Sequence, residues 1–376
     1  MSIPFIDLNA QQARLRADID QRIAAVLDHG KYIMGPEVAE LETALAEFAG
    51  AKHAIAVSSG TDALLMALMA ADIGIGDAVF LPAFTFTASA EVILITGATP
   101  VFVDVEATTC NIDAADLERR ISEVESAGEL KPRAIIAVDL FGLPAGYATI
   151  NNLAAAHDML VIDDAAQSFG GAEGNKKVGA LAPVTATSFF PAKPLGCYGD
   201  GGAVFTDDDE TMDIYKSIRA HGKGGAKYDI VRVGLNARLD TIQAAVLLSK
   251  LTIFAEEIES REKLARTYDA RLAGHVKLPA RADNSNSAWA QYTVQLDHRD
   301  AVQEALKAEG IPTMVYYPLP MHLQSAYRPF GDGEGSMPVS EALSTRVLSL
   351  PMHPYMDDAT ANRICDQLTA AVETAR

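Results

Sequence analysis

The sequence predicts an α/β fold built on a mainly parallel β-sheet that helices cover on both faces. The chain has 376 residues and is 49% hydrophobic, so it can bury a sizeable core. Short apolar runs alternate with segments of helical length, a pattern typical of strands joined by crossover helices. Polar motifs follow several of these runs, and ligands bind at the carboxyl ends of strands in such sheets.

Two helices are expected before the first strand, because apolar positions recur with helical spacing over residues 11–29 and 37–49. Pro36 suits the first turn of the second helix, and Glu37 suits the positive end of its dipole. Seven apolar runs are then predicted to be strands: Ala54–Val57, Ala78–Leu81, Pro100–Val103, Ala134–Val138, Met159–Ile162, Thr185–Phe190 and Gly202–Phe205.

The C-terminal third is predicted to be a smaller α/β unit. A long charged helix is expected over Thr252–Leu272, followed by strands near Tyr292–Leu296 and Met314–Tyr316. We therefore predict a large domain over residues 1–250 and a small domain over 251–376.

Charge and cysteine content narrow the class of protein. The formal net charge is −19, and nucleic-acid binding, which needs a basic face, is disfavoured. The three cysteines are far apart in the sequence, so neither a disulfide framework nor a metal site is expected, as in a reducing cytoplasm. The N-terminal residues do not resemble a signal peptide, and no uncharged apolar run reaches 18 residues, so a cytoplasmic location is expected.

The segment Ser58-Ser59-Gly60-Thr61 lies between a predicted strand and a predicted helix. Free N–H groups at a helix N-terminus attract anions, and glycine lets the backbone approach a phosphate closely. The segment therefore indicates a phosphate site, although an ordinary helix cap has the same residues. Phe84 and Phe86 follow the next strand, where they suit either stacking on a planar ring or core packing.

Asp163 and Asp164 end a strongly apolar strand. A buried carboxylate there needs a cationic partner, which a protonated pyridine nitrogen would provide. A helix cap is the alternative, while a metal site is disfavoured because the histidines are scattered.

Lys193 follows another strand and precedes Pro194 and a glycine cluster. Lysine can form a Schiff base with an aldehyde cofactor, and proline disfavours a helical conformation for the residue before it. Alone, Lys193 would be interpreted as a surface lysine beside a turn, which is the commoner case. Together with a phosphate site, stacking aromatics and a strand-end aspartate, it completes the groups that pyridoxal 5′-phosphate requires.

The chain resembles the sugar aminotransferase family of the DegT/DnrJ/EryC1/StrS type, which has the aspartate-aminotransferase fold (fold type I). The matching segments cover most of the chain: GPEVAELE at 35–42, SSGTDAL at 58–64, PAFTFTAS at 82–89, VIDDAAQSFG at 161–170, SFFPAKPLGCYGDGGA at 188–203, RAHG at 219–222, GLNARLDTIQAA at 234–245 and YYPLPMHLQ at 316–324.

This resemblance implies a role for each matching residue. Lys193 would bind the cofactor covalently and serve as the catalytic base. Asp164 would pair with the pyridine nitrogen, and Gln167 would hydrogen-bond the ring hydroxyl. The other implied cofactor contacts are stacking by Phe86, phosphate binding by Gly60, Thr61 and Ser188, and a phosphate contact by Asn236 from a neighbouring subunit. A homodimer with shared active sites follows.

The resemblance also implies glutamate as amino donor and a nucleotide-linked keto sugar as acceptor. The segments around Lys193 and Asn236 are most similar to enzymes that aminate C3 of UDP-2-acetamido-2-deoxy-3-oxo-glucuronate for bacterial O-antigen or other surface polysaccharide. Arg238 would bind the substrate carboxylate, and Tyr317 and His322 fall in the sugar-contacting loop. Departures from the family pattern at Phe169, Tyr316 and His322 leave the exact sugar open.

Several alternatives remain. Amination at C4 of a 4-keto-6-deoxy sugar, as in perosamine-type synthases, keeps the same cofactor chemistry. A related sugar dehydratase would carry histidine in place of Lys193. A catalytically silent regulatory relative and a nucleotide-binding dehydrogenase are the further possibilities; the first conflicts with the intact site, and the second lacks a glycine-rich fingerprint.

One basic stretch stands out in the acidic chain. It contains Lys216, Arg219, His221, Lys223, Lys227, Arg232 and Arg238, with glycines at 222, 224 and 225. Such a loop predicts an anionic small substrate, and a solvated helix end is the alternative.

Overall fold

The computed structural model describes residues 3–226 and 228–375. The helices are α1 (Leu8–His29), α2 (Pro36–Ala49), α3 (Gly60–Ala70), α4 (Ala88–Thr96), α5 (Ala114–Ala127), α6 (Tyr147–Ala156), α7 (Asp209–Arg219), α8 (Thr241–Leu272), α9 (Arg299–Ala308), α10 (Pro338–Arg346) and α11 (Asp358–Ala375). The strands are β1 (His53–Val57), β2 (Asp77–Pro82), β3 (Thr99–Val103), β4 (Lys131–Val138), β5 (Leu160–Asp164), β6 (Ala172–Glu173), β7 (Lys176–Lys177), β8 (Val184–Ser188), β9 (Gly202–Thr206), β10 (Ser285–Asn286), β11 (Tyr292–Gln295) and β12 (Val347–Leu350).

A seven-stranded sheet with the order β1-β9-β8-β5-β4-β2-β3 forms the centre of the molecule. All seven predicted strands are confirmed. Every neighbouring pair is parallel except those of β9, which runs antiparallel to β1 and β8. Gly202, the first residue of β9, therefore lies beside both Val57 and Ser188, at the ends of β1 and β8. A Cβ at Gly202 would lie 2.5 Å from the carbonyl oxygen of Ser59, so glycine permits this close approach.

The prediction that helices cover both faces is confirmed, because alternate residues along a strand pack against helices on opposite faces of the sheet. In β2, Val79 and Leu81 belong to a core formed with α3, α4 and α7, whereas Ala78 and Phe80 belong to a core formed with α5 and α6. At the β1 end of the sheet, α2 and the first half of α8 cover the second face. Within residues 3–226 and 228–375, no helix is both long and apolar enough to cross a membrane.

The C-terminal part has its own core, formed by the second half of α8, α9, α11 and the β11–β12 sheet. The prediction of a strand at Met314–Tyr316 is wrong. Met314 pairs with Ser349 only in an isolated bridge, and β12 is the strand that pairs with β11. Helix α8 begins at Thr241 rather than Thr252. Position 250 lies inside this helix, which contributes to both parts, so the division at residue 250 stays a prediction.

Candidate active site

The end of β1 and the start of α3 form a turn against the end of β8. Ser59 caps α3, and its side chain accepts a hydrogen bond of 3.0 Å from the Asp62 N–H. A Cβ at Gly60 would lie 2.7 Å from the Ser188 Cβ, so only glycine fits without displacing Ser188. Gly60, Thr61 and Ser188 are thus neighbours at a helix N-terminus, where N–H groups and the helix dipole favour an anion.

Asp164 is buried at the end of β5, which pairs directly with β8 in the sheet. Its carboxylate accepts a hydrogen bond of 2.7 Å from the Ser89 hydroxyl. Burial raises the pKa of Asp164, and hydrogen bonding by Ser89 and the charge of Lys193 oppose this rise. The structure therefore brings together the aspartate and lysine that the sequence singled out.

Lys193 lies on a non-helical loop after β8, as predicted, and its N–H donates to the Phe190 carbonyl oxygen at 2.9 Å. Burial lowers the pKa of Lys193, and the negative charge of Asp164 opposes this shift. A lowered pKa increases the neutral fraction of the amine, which is the form that attacks an aldehyde or accepts a proton.

Gln167 and three aromatic residues form one wall of the site. The Gln167 Oε1 accepts a hydrogen bond of 2.6 Å from the Phe141 N–H, and its Nε2 lies 3.4 Å from the Tyr317 hydroxyl. The Tyr317 ring centroid lies 6.2 Å from those of both Phe84 and Phe86. Phe84 is buried, as core packing predicts, whereas Phe86 is 55% exposed and therefore accessible to a ligand.

Asn236 and Arg238 lie apart from this wall, on the rim of another cavity. The Asn236 Oδ1 accepts hydrogen bonds from the Arg238 Nε at 3.0 Å and Nη2 at 2.5 Å. They line a cavity of about 380 Å³ together with Ile33, Ser58, Gly199, Asp200, Asp240 and Gln243. Because Ser58 precedes the α3 turn, this cavity lies next to the Gly60–Ser188 contact.

His322 differs from the other predicted site residues because its side chain is fully buried. Its Nε2 lies 3.0 Å from Glu341 Oε1, and the same carboxylate accepts hydrogen bonds from the N–H groups of Gly335 and Met337. Direct contact between His322 and a sugar requires the side chain to leave Glu341. The substrate-binding role of His322 therefore stays a prediction.

The basic stretch is less open than its sequence indicates. Arg219 is buried and donates hydrogen bonds to Glu42 and to the Ala56 carbonyl oxygen, so it anchors α7 to β1 and is not available to a ligand. Lys216 pairs with Asp213 at 2.9 Å. Lys227 lies outside the described residues.

Sequence reasoning did not identify a buried polar network behind Asp164. The Tyr147 hydroxyl lies 2.9 Å from Asp139 Oδ1 and 2.7 Å from Asp163 Oδ1. Its single proton can serve only one of these carboxylates, so a hydrogen bond to the other requires that carboxyl to be protonated. Burial raises the pKa of both aspartates, and their mutual repulsion raises that of Asp139 further. The acid before Asp164 was visible in the sequence, but its distant partners Asp139 and Tyr147 were not.

Comparison with known proteins identifies the family that has this arrangement of residues. Residues 13–369 match the DegT/DnrJ/EryC1/StrS aminotransferase family. The chain is 48% identical to the UDP-2-acetamido-2-deoxy-3-oxo-D-glucuronate aminotransferase of Pseudomonas aeruginosa, over 98% of this chain and 99% of the relative.

Solved structures agree with this match. A DegT DnrJ EryC1 StrS aminotransferase from Brucella abortus superposes with a TM-score of 0.96 at 50% identity, over 98% of this chain and 99% of that one. The pyridoxal-phosphate form of the sugar aminotransferase Spr1654 from Streptococcus pneumoniae superposes with a TM-score of 0.91 at 25% identity, over the whole of both chains. The chain therefore belongs to the DegT/DnrJ/EryC1/StrS aminotransferase family, and it is a pyridoxal-phosphate-dependent sugar aminotransferase.

Proposed function

We propose that this enzyme transfers the amino group of glutamate to C3 of UDP-2-acetamido-2-deoxy-3-oxo-glucuronate, in the cytoplasm, for bacterial O-antigen or related lipopolysaccharide. The observation that carries the proposal is the pairing of Lys193 with Asp164 beside the Gly60–Ser188 turn. The similarity to the P. aeruginosa enzyme, which is named for this acceptor, supports the choice of sugar. Relatives named for other sugars, among them a GDP-perosamine synthase, are more distant.

The residues present fit pyridoxal phosphate. The close contact at Gly60, which a Cβ would fill, and the N-terminus of α3 suit the phosphate. The buried Asp164 carboxylate suits a protonated ring nitrogen, which would also hold its pKa down. Phe86 is exposed and available for stacking, and Gln167 Nε2, which lies 3.4 Å from the Tyr317 hydroxyl, would donate to a ring hydroxyl.

The cofactor, when bound, supplies an electron sink that lets a proton leave the carbon bearing the amino group. Lys193 supplies the base, because burial increases its neutral fraction. It would remove the proton from the glutamate α-carbon and later return a proton at C3 of the sugar. Asp164 stays fixed by Ser89, so its charge is oriented before the reaction. Amino donor and acceptor then use the same site in turn, which predicts ping-pong kinetics.

We propose that the rim carrying Asn236 and Arg238 completes the site of a second subunit. Ile33 lines the same cavity, and exposed apolar side chains adjoin it in sequence at Tyr32 and Met34, with Val233 three residues before Asn236. Such a group of apolar residues is typical of a protein interface. In a two-fold dimer, the Asn236 amide would reach the partner's phosphate and the Arg238 guanidinium the partner's substrate carboxylate.

Sugar recognition is assigned to Tyr317 and to the loop that carries His322. The Met321 N–H donates to the Ala83 carbonyl oxygen at 2.7 Å, so the loop is fixed to the end of β2. Tyr317 faces the Phe86 side of the site, where a sugar would approach the cofactor. His322 would shape this loop through Glu341 rather than meet the sugar in this conformation.

The proposal is tested with a panel of UDP- and GDP-linked 3-keto and 4-keto sugars, supplied with glutamate and the cofactor-loaded enzyme. NMR of the product locates the new amine. We expect turnover with the UDP-3-keto uronate and an amine at C3. Turnover with 4-keto-6-deoxy sugars alone would overturn the choice of acceptor, and loss of a sugar hydroxyl without amination would indicate a dehydratase.

A further inference from the structure

We propose that Lys250, on helix α8, is a positioning residue for Lys193. It would hold the backbone of the segment that follows Lys193 and so fix the position of Lys193 relative to Asp164. The inference rests on the proposed role of Lys193.

The loop that carries Lys193, residues 189–199, is folded back on itself. The Cys197 N–H donates to the Phe189 carbonyl oxygen at 2.8 Å, which closes the loop at its base. A Cβ at Gly196 would lie 2.5 Å from the Pro191 carbonyl oxygen, so the two sides of the loop touch. A displacement at Gly196 would therefore be transmitted to the side that leads to Lys193.

Lys250 reaches this base from α8. It is fully buried, and its Nζ donates a hydrogen bond of 2.6 Å to the Gly196 carbonyl oxygen. The same Nζ lies 4.4 Å from the centroid of the Tyr198 ring, within the range of a cation–π interaction. Burial lowers its pKa to about 8. Complete burial of a lysine is rare, and here its polar end is directed at the loop.

Gln243 provides a second attachment from the same face of α8. It precedes Lys250 by seven residues, or two helical turns, and its Oε1 accepts a hydrogen bond of 2.8 Å from the Tyr198 N–H. Helix α8 thus holds Gly196 and Tyr198, on either side of the buried Cys197. Two attachments to one rigid helix fix both the position and the direction of this strand of the loop.

This arrangement matters for the reaction because proton transfer needs close placement. A shift of about 1 Å in a reacting group can cost about 100-fold in rate. Lys250 has no need to touch cofactor or substrate to influence the rate, since it acts through the backbone at Gly196.

The test uses Lys250→Met, which keeps an unbranched side chain of similar length and removes the hydrogen-bond donor. It also uses Gln243→Leu, which removes the second attachment. The matched control is Lys277→Met. Lys277 also donates to a carbonyl oxygen, that of Ala107 at 2.6 Å, but it is exposed, and neither residue belongs to the loop of residues 189–199. Each variant is loaded with cofactor, and the rate of 2-oxoglutarate release from glutamate is measured per bound cofactor. Amide hydrogen exchange at Lys193 and Cys197 is measured separately on the protein without cofactor.

We expect the rate per bound cofactor to fall about 10-fold or more in Lys250→Met, with faster exchange at both amides and no change in the control. A lower melting temperature with an unchanged rate and unchanged exchange would show a purely structural role and overturn the inference. If Lys250→Met does not fold, Gln243→Leu decides by the same two measurements. Full activity of Lys193→Ala would overturn the proposed function instead, so the two failures are distinguishable.

Discussion

Lys193 and Asp164 hold each other nearer to the charged state than burial alone would allow. Burial lowers the lysine pKa and raises the aspartate pKa, and each residue's charge opposes the shift of the other. The Ser89 hydroxyl supports the same aspartate with a hydrogen bond of 2.7 Å. The two residues are 29 positions apart in the sequence: Asp164 is the last residue of β5, and Lys193 lies on the loop after the neighbouring strand β8.

Replacing Asp164 with asparagine removes the negative charge and keeps the size of the side chain. We expect the cofactor to bind, because the phosphate turn is intact, and the rate of 2-oxoglutarate release to fall about 100-fold or more. Ser89→Ala is the control of intermediate severity, since it removes one hydrogen bond and leaves the charge. An Asp164→Asn enzyme as fast as the wild type would contradict the role of this charge.

Gly60→Ala tests the phosphate turn. Its Cβ would lie 2.7 Å from the Ser188 Cβ, so Ser188 or the start of α3 must shift. We expect the dissociation constant for pyridoxal phosphate, measured by fluorescence titration, to rise about 10-fold or more, because one displaced charge-assisted hydrogen bond costs on the order of 1.5–3 kcal/mol. Gly74→Ala is the matched control, as the nearest atom to its Cβ would be 3.4 Å away. Equal affinity in both variants would exclude Gly60 from the phosphate site.

The Asp139–Tyr147–Asp163 network predicts a pH dependence of stability. Burial raises the pKa of Asp163 to about 7, well above the value of about 3.9 in an unfolded chain. Between about pH 4 and pH 7, Asp163 therefore retains a proton in the folded state that it has lost in the unfolded state. The stability contribution of Asp163 is complete below about pH 4 and is lost as the pH rises through about 7.

Asp163→Asn removes this titration. Urea unfolding at pH 5.5 and pH 8 should show that the wild type loses more stability over this interval than the variant, by on the order of 1 kcal/mol. Asp213→Asn, at an exposed carboxylate, should follow the wild type. A wild type and an Asp163→Asn variant with identical pH profiles would show that Asp163 does not hold the proton.

Mixed dimers test whether active sites are shared. Lys193→Ala and Asn236→Ala should each be nearly inactive alone. If Asn236 serves the partner's site, unfolding and refolding an equal mixture restores one intact site per mixed dimer, or about a quarter of wild-type activity. The mixture of Lys193→Ala with itself is the control. Activity that stays at the level of the separate variants would place Asn236 in its own subunit's site.

Much of the architecture was accessible from the sequence, because buried strands such as β5 are continuous apolar runs bounded by polar residues. The start of α8 was not. Residues 244–250 are buried throughout, so the one-sided periodicity that marks a surface helix is missing there. The strand expected at Met314–Tyr316 pairs only at Met314, and the apolar run Val347–Leu350 takes its place.

The cofactor-facing residues were predictable because they follow strands in a recognisable order. The supporting residues were not, since their partners are remote in sequence. Arg219 is neutralised by Glu42, and His322 is buried against Glu341. Nothing in the local sequence distinguishes these buried side chains from exposed ones. Lys250 likewise lies in an otherwise apolar helical segment, and only the structure shows that it meets Gly196.

The central claim, that Lys193 carries the reaction, is tested most directly in a single turnover without acceptor sugar. Glutamate is added to cofactor-loaded wild type and Lys193→Ala, and 2-oxoglutarate is counted per active site. We predict one equivalent from the wild type, and a rate at least about 100-fold lower from the variant although it binds the cofactor. Release of 2-oxoglutarate by Lys193→Ala at the wild-type rate would contradict the account.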